Sequence, residues 1–156
     1  MASIRIITQG CSLNHSDSEA IAGVLMEEGH ELVSKDSQAD IIIYNTCTVK
    51  GPTESAFRRK LKEYREQDRP LIIAGCLTQG EDELSEFDDC SILGVENLSR
   101  AGELVDRTLA GERIHLLIPE AEERLLLPTI QKNPLVSIIP INAGCMSHCT
   151  YCKTKD

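Results

Sequence analysis

Aromatic side chains are scarce: no tryptophan, two phenylalanines and three tyrosines, 3 % of 156 residues. A core must therefore be assembled from Ile, Leu, Val and Ala. No apolar run approaches the roughly 18 residues that a membrane-spanning helix needs. The N-terminus has none of the basic, apolar and small-residue regions of a secretory signal, so nothing argues for export and a cytoplasmic location is expected. Positive charge is short as well. Sixteen Lys and Arg face 25 Asp and Glu, a net charge of −9, which argues against strong nucleic-acid binding by this chain alone, because neutralising phosphates takes clustered cations. Also missing is a phosphate-cradling loop: Gly10-Cys11-Ser12-Leu13-Asn14 has neither the glycines nor the lysine for it.

What the chain does have is cysteine. Seven is an odd number, and the spacing matches no small secreted disulfide framework. Three thiols close apolar, β-branched runs: Cys11 after Ile4–Gln9, Cys47 after Ile41–Thr46, and Cys76 after Leu71–Gly75. Such runs read as buried parallel strands, with helical-period segments between them. The alternation predicts an α/β fold, a doubly wound and mostly parallel sheet with flanking helices, over about residues 1–112. Ligands of open α/β sheets bind beyond the carboxyl ends of the strands, so Cys11, Cys47 and Cys76 are expected to meet there.

The helical segments can be placed. Ser16-Asp17-Ser18-Glu19 has capping-box spacing and predicts a helix start, ending near Gly29. Short strands are expected near His30–Val33 and over Ser91–Leu93. A helix opened by Pro52 carries Phe57, Leu61 and Tyr64 on one stripe, with Arg58, Arg59, Lys60, Lys62 and Arg65 around it. Those cations read as a solvated helix face in preference to an RNA contact. A charged helical stretch, Glu81–Phe87, precedes a last helix with Leu98, Ala101, Leu104, Val105 and Leu109 at helical spacing. Residues 113–134, punctuated by Pro119, Pro128 and Pro134, read as a linker. Leu135–Ile141 is expected as a strand that begins a second, truncated unit over 135–156, so the chain is expected to be a fragment.

That second unit carries Cys145, Cys149 and Cys152 in the spacing C-x3-C-x2-C. Soft thiolates select zinc, copper(I) or iron–sulfur clusters. Structural zinc prefers four ligands, and His148 adjoins Cys149, a position from which two side chains seldom converge on one ion. A cubane held by three cysteines leaves one iron open to another ligand, by the same logic that leaves a catalytic zinc an open position. The spacing thus points to a reactive [4Fe–4S] cluster, and the first triad to a second. Cys90, beside Asp88 and Asp89, is the thiol left over; its ionisation is disfavoured there, and it reads as structural or incidental. Two other readings stand beside these: a non-catalytic iron–sulfur or zinc-binding module, and a flavodoxin-like domain whose buried thiols are incidental.

The motifs Gly10-Cys11-Ser12-Leu13-Asn14-His15-Ser16-Asp17-Ser18-Glu19, Asn45-Thr46-Cys47-Thr48-Val49 and Ala74-Gly75-Cys76-Leu77 resemble the N-terminal domain of the methylthiotransferases. Those are radical S-adenosylmethionine enzymes with two [4Fe–4S] clusters. Gly144-Cys145-Met146-Ser147-His148-Cys149-Thr150-Tyr151-Cys152 is similar to their radical-SAM signature. The continuation Lys153-Thr154-Lys155 is similar to the archaeal and eukaryotic branch, which acts on N6-threonylcarbamoyladenosine at position 37 of tRNA. Other branches act on isopentenyl-adenosine tRNA or on a ribosomal protein. The resemblance implies that Cys145, Cys149 and Cys152 hold the cluster that binds and cleaves S-adenosyl-L-methionine, with Tyr151 near its adenine. Cys11, Cys47 and Cys76 hold the auxiliary cluster that carries the sulfur to be inserted. Asn14, Asp17, Asn45 and Thr46 support the loops of that cluster. It further implies tRNA and an electron donor as partners. Because the family continues into a barrel and an RNA-binding domain, this chain alone is expected to be inactive.

Overall fold

The computed structural model describes residues 1–47, 51–79, 81–119, 123–142 and 149–150. The elements run β1 (Ser3–Gln9), α1 (Ser12–Glu27), β2 (Glu31–Leu32), β3 (Ile41–Thr46), α2 (Gly51–Glu66), β4 (Leu71–Ala74), β5 (Ser91–Leu93), α3 (Ala101–Leu109) and β6 (His115–Leu116). Every strand pairing is parallel, in the order β2-β1-β3-β4-β5-β6. This is the α/β fold that the alternating apolar runs predict. The winding direction reverses between β1 and β3, the switch point at which such sheets open a crevice.

Both faces of the sheet are covered, which is why its strands are apolar on both sides. On one face Ile4, Ile41, Ile43, Ile72 and Leu93 pack against Ile21 and Leu25 of α1 and Leu104 and Val105 of α3. On the other, Ile42, Tyr44, Ile73 and Ile92 meet Phe57, Leu61 and Tyr64 of α2, and Phe87 from the 3-10 stretch Glu81–Phe87. Phe57 sits between Tyr44 and Phe87, ring centroids 5.0 and 5.9 Å away. Each fully buried Ile or Leu contributes about 2 kcal/mol of transfer free energy, so the scarcity of aromatics is made good by number.

The basic residues of α2 are largely engaged in pairs. Arg58 pairs with Glu86, Arg65 with Asp89, and Lys60 with Glu63. Two of these acidic partners lie at the end of the Glu81–Phe87 stretch and just after it, so the cations tie α2 to a neighbouring segment, in keeping with a structural helix face.

Three boundaries differ from expectation. Helix α1 starts at Ser12 and not at Ser16, with Cys11 as N-cap and Asn14 Oδ1 accepting from the Cys11 N–H at 3.1 Å. The sheet takes in β6, beyond residue 112; two residues are too few to show a strand period. Leu135–Ile141 joins no strand ladder, and Leu135 and Ile141 are 91 % and 87 % exposed. That segment runs beside α1, where no strand edge offers it a partner.

The expected linker docks along α1. Arg124 Nη1 lies 3.1 Å from Asp17 Oδ1, and its Nη2 donates to the Val95 carbonyl at 2.5 Å. The Ile130 N–H donates to the Glu19 carbonyl and the Lys132 N–H to Glu19 Oε1, both at 2.9 Å. Ser16 Oγ donates to the Ile138 carbonyl at 3.4 Å. Gly23 lets the strap in: a Cβ there would overlap the Pro128 carbonyl. Ser16, Asp17 and Glu19, read in the sequence as a helix cap, are in fact the dock for this strap.

Candidate metal centre

Because β1, β3 and β4 are adjacent and parallel, their carboxyl ends share one edge of the sheet. Cys11 lies two residues beyond β1, Cys47 directly beyond β3, and Cys76 two residues beyond β4. The fold thus brings residues 36 and 29 positions apart in the chain to the switch-point edge. Cys47 is buried; Cys11 and Cys76 are half-buried. None of the three is in a disulfide.

A polar lattice sets the three loops relative to one another. Asn14 Nδ2 donates to Asn45 Oδ1 at 3.0 Å and approaches the Thr46 carbonyl at 3.4 Å. Asn45 Nδ2 donates to the Asn14 carbonyl at 2.8 Å and to Ser18 Oγ at 2.9 Å. Thr8 Oγ1 donates to Ser18 Oγ at 2.8 Å. Asn14 and Asn45 are buried, so each bond is shielded from water and stiffens its neighbours. Two glycines leave room for the lattice. A Cβ on Gly10 would overlap Asn14 Oδ1; one on Gly75, at φ +91°, would overlap Asn45 Oδ1 and the Thr46 carbonyl. The residues next to all three thiols are therefore locked together.

The thiols sense one another. Burial pushes the Cys76 thiol up to about 11, and nearby Cys47, Cys11 and Asp17 push it the same way. A thiol whose ionisation is opposed by burial and by its neighbours stays protonated unless a cation compensates the thiolate charge. Soft, multiply charged metal centres bind thiolates and supply that compensation. Among the described residues no three Cys, His, Asp or Glu side chains close around a single ion. A cubane asks for something different, since each thiolate reaches its own iron. Three thiols, a glycine on either side of the lattice and a rigid frame are a donor set that fits such a group.

Asn14, Asn45 and Thr46 thus sit in or against the lattice. Asp17 is held by Arg124 and lies close enough to Cys76 to raise its thiol. Cys90 lies elsewhere, buried before β5 with Asp89 beside it, and burial followed by the Asp89 charge pushes it up to about 12. Of the second triad, Cys149 is described and half-buried; Cys145, Cys152 and Tyr151 lie outside the described residues. Sequence reasoning did not single out Gln9, Ser18 or Arg124. Gln9 could be sought as a polar residue closing an apolar strand, whereas Ser18 is hidden among the polar residues Asn14–Glu19 and Arg124 gives no local signal because its partner is 107 residues away.

Residues 3–93, the stretch that builds the sheet through β5 and all three thiol loops, match the family described as "Uncharacterized protein family UPF0004". The chain is 41 % identical to the threonylcarbamoyladenosine tRNA methylthiotransferase of Danio rerio over 99 % of its length, and 41 % identical to that of Homo sapiens over 97 %. The chain belongs to the methylthiotransferase family. The resemblance extends to archaea: a probable threonylcarbamoyladenosine tRNA methylthiotransferase of Pyrococcus horikoshii is 31 % identical over 99 % of this chain. The chain spans only about a third of these family members, 30 %, 28 % and 37 % of their lengths. Among the described residues no helix is long and apolar enough to cross a membrane.

Proposed function

We propose that this chain forms the sulfur-carrying end of a tRNA methylthiotransferase. In this reading the protein to which it belongs converts N6-threonylcarbamoyladenosine at position 37 of tRNA to its 2-methylthio derivative. Cys11, Cys47 and Cys76 hold one [4Fe–4S] cluster, and Cys145, Cys149 and Cys152 hold a second that binds S-adenosyl-L-methionine, with an external electron donor. The bound clusters supply one-electron chemistry and an open iron for sulfur. This chain's own residues hold and orient: three thiolates ligate, and the Asn14–Asn45 lattice fixes their loops. The α1 and α2 layers keep water from the sheet below. The observation that carries the reading is the delivery of three thiols to one switch-point edge, each beside the lattice. The 41 % identical relatives named for this nucleoside support the substrate.

The test is anaerobic reconstitution with iron and sulfide analysis and EPR, on wild type and on the C11A/C47A/C76A variant. The reading expects the variant to lose about four irons per chain. Zinc in place of iron, or iron content independent of those three residues, would reject it in favour of a non-catalytic module.

A further inference from the structure

The rung of the sheet just before the thiols is polar and incompletely satisfied. Gln9 pairs with Thr46 across β1 and β3. One step back on the same face, Ile7 pairs with Tyr44 and both belong to the apolar layer under α2. The pattern changes at the last rung. Thr46 is 1 % exposed, yet among the described residues its Oγ1 has no hydrogen-bond partner, and neither has the buried Oε1 of Gln9. Buried hydroxyl and amide groups are nearly always paired, and leaving one unpaired costs about 1–3 kcal/mol. Gly10 and Cys11 follow Gln9, and Cys47 follows Thr46. The two unsatisfied groups therefore lie one or two residues behind two of the three thiols. On the opposite face of the strands the equivalent polar residues, Thr8 and Asn45, are fully engaged with Ser18 and Asn14. Tyr44 Oη, one rung back on the same face, also lacks a partner among the described residues, so the deficit follows this face of the strands up to the thiol loops.

We infer that Gln9 and Thr46 are positioning residues that donate hydrogen bonds to the anionic sulfur-bearing group held by Cys11, Cys47 and Cys76. The inference rests on the cluster reading above. Thr46 supplies an O–H and Gln9 an amide N–H, since its oxygen and nitrogen can exchange places by a flip. Donors to cluster sulfur stabilise the more negative, reduced form and so raise the reduction potential. Their removal should lower it without releasing iron, because neither residue is a ligand.

The test uses the full chain, reconstituted anaerobically, with C145A/C149A/C152A as the common background so that one cluster is observed. Iron content and an EPR-monitored redox titration are compared for the background, T46V, T46S and Q9L. The expected result is a shift to more negative potential in T46V and in Q9L at unchanged iron content, with T46S returning to the background value. An ordered water satisfying both groups would give the same potential in every variant, and that result overturns the inference while leaving the cluster reading intact. Should T46V fail to fold, Q9L decides alone. A background protein without about four irons rejects the cluster reading and takes the inference with it.

Discussion

Asn14 and Asn45 hydrogen-bond reciprocally: Asn14 Nδ2 donates to Asn45 Oδ1 at 3.0 Å, and Asn45 Nδ2 donates to the Asn14 carbonyl at 2.8 Å. One residue belongs to the first turn of α1, just after Cys11, and the other to the end of β3, just before Cys47. The pair is thus a fixed strut between two thiol-bearing loops, and Gly75 brings the third loop against it.

Gly75 and Gly29 should respond differently to alanine. Both have positive φ, +91° and +83°, but a Cβ on Gly75 would overlap Asn45 and Thr46, whereas one on Gly29 meets open space. G29A should cost about 1–2 kcal/mol for its backbone conformation alone. G75A should cost on the order of 3 kcal/mol or more, because overlap is added to the same strain. Urea unfolding midpoints at constant slope measure both. Equal losses would show that the lattice yields at no cost.

Arg124→Ala should release the strap. The Arg124–Asp17 pair is mostly buried, with side chains 18 % and 6 % exposed. Breaking a buried pair costs about 3–5 kcal/mol when the remaining charge stays buried. Here the strap can lift and let water reach Asp17, so a smaller global loss is expected. Hydrogen exchange at Ile130 and Lys132, whose N–H groups bond to Glu19, should accelerate, while β3 and β4 stay protected. Unchanged exchange at those two amides would show that the strap is held without Arg124.

How much of this was legible in the sequence depends on the distance over which each feature is determined. Apolar β-branched runs announce buried strands locally, so the sheet and the shared edge of Cys11, Cys47 and Cys76 could be foreseen. The start of α1 could not, because cysteine is not a usual N-cap and Ser16–Glu19 mimics one. Those residues are retained by contacts with Arg124, Ile130, Lys132 and Ile138, which no local pattern encodes. The same holds for the cations of α2, whose partners Glu86 and Asp89 come from beyond β4. Leu135–Ile141 has a strand's composition, but pairing is a property of neighbours.

Cys90 should give the protein an alkaline limit of its own. Its thiol is pushed from an ordinary 9.0 up to about 12 by burial and then by Asp89. The folded state thus keeps the thiol neutral where the unfolded chain would ionise it. The stabilising contribution is complete below about pH 9 and is lost progressively as pH rises to about 12. Tyr44 and Tyr64, also raised chiefly by burial, act in the same direction. The stability difference between wild type and C90A, followed by denaturant unfolding from pH 7 to 11, isolates the thiol: it should shrink or reverse above pH 9. A difference independent of pH would place Cys90 in contact with solvent.

The order of the strands also has a consequence for how the protein matures. Cys11, Cys47 and Cys76 become neighbours only after β1, β3 and β4 have paired through two crossovers, and long-range parallel pairing is a slow step in folding. A newly made chain therefore offers isolated thiols, open to oxidation, until the third strand has joined the other two. On the proposed cluster reading, the three ligands are not assembled until the sheet is, so loading follows the pairing of β1, β3 and β4.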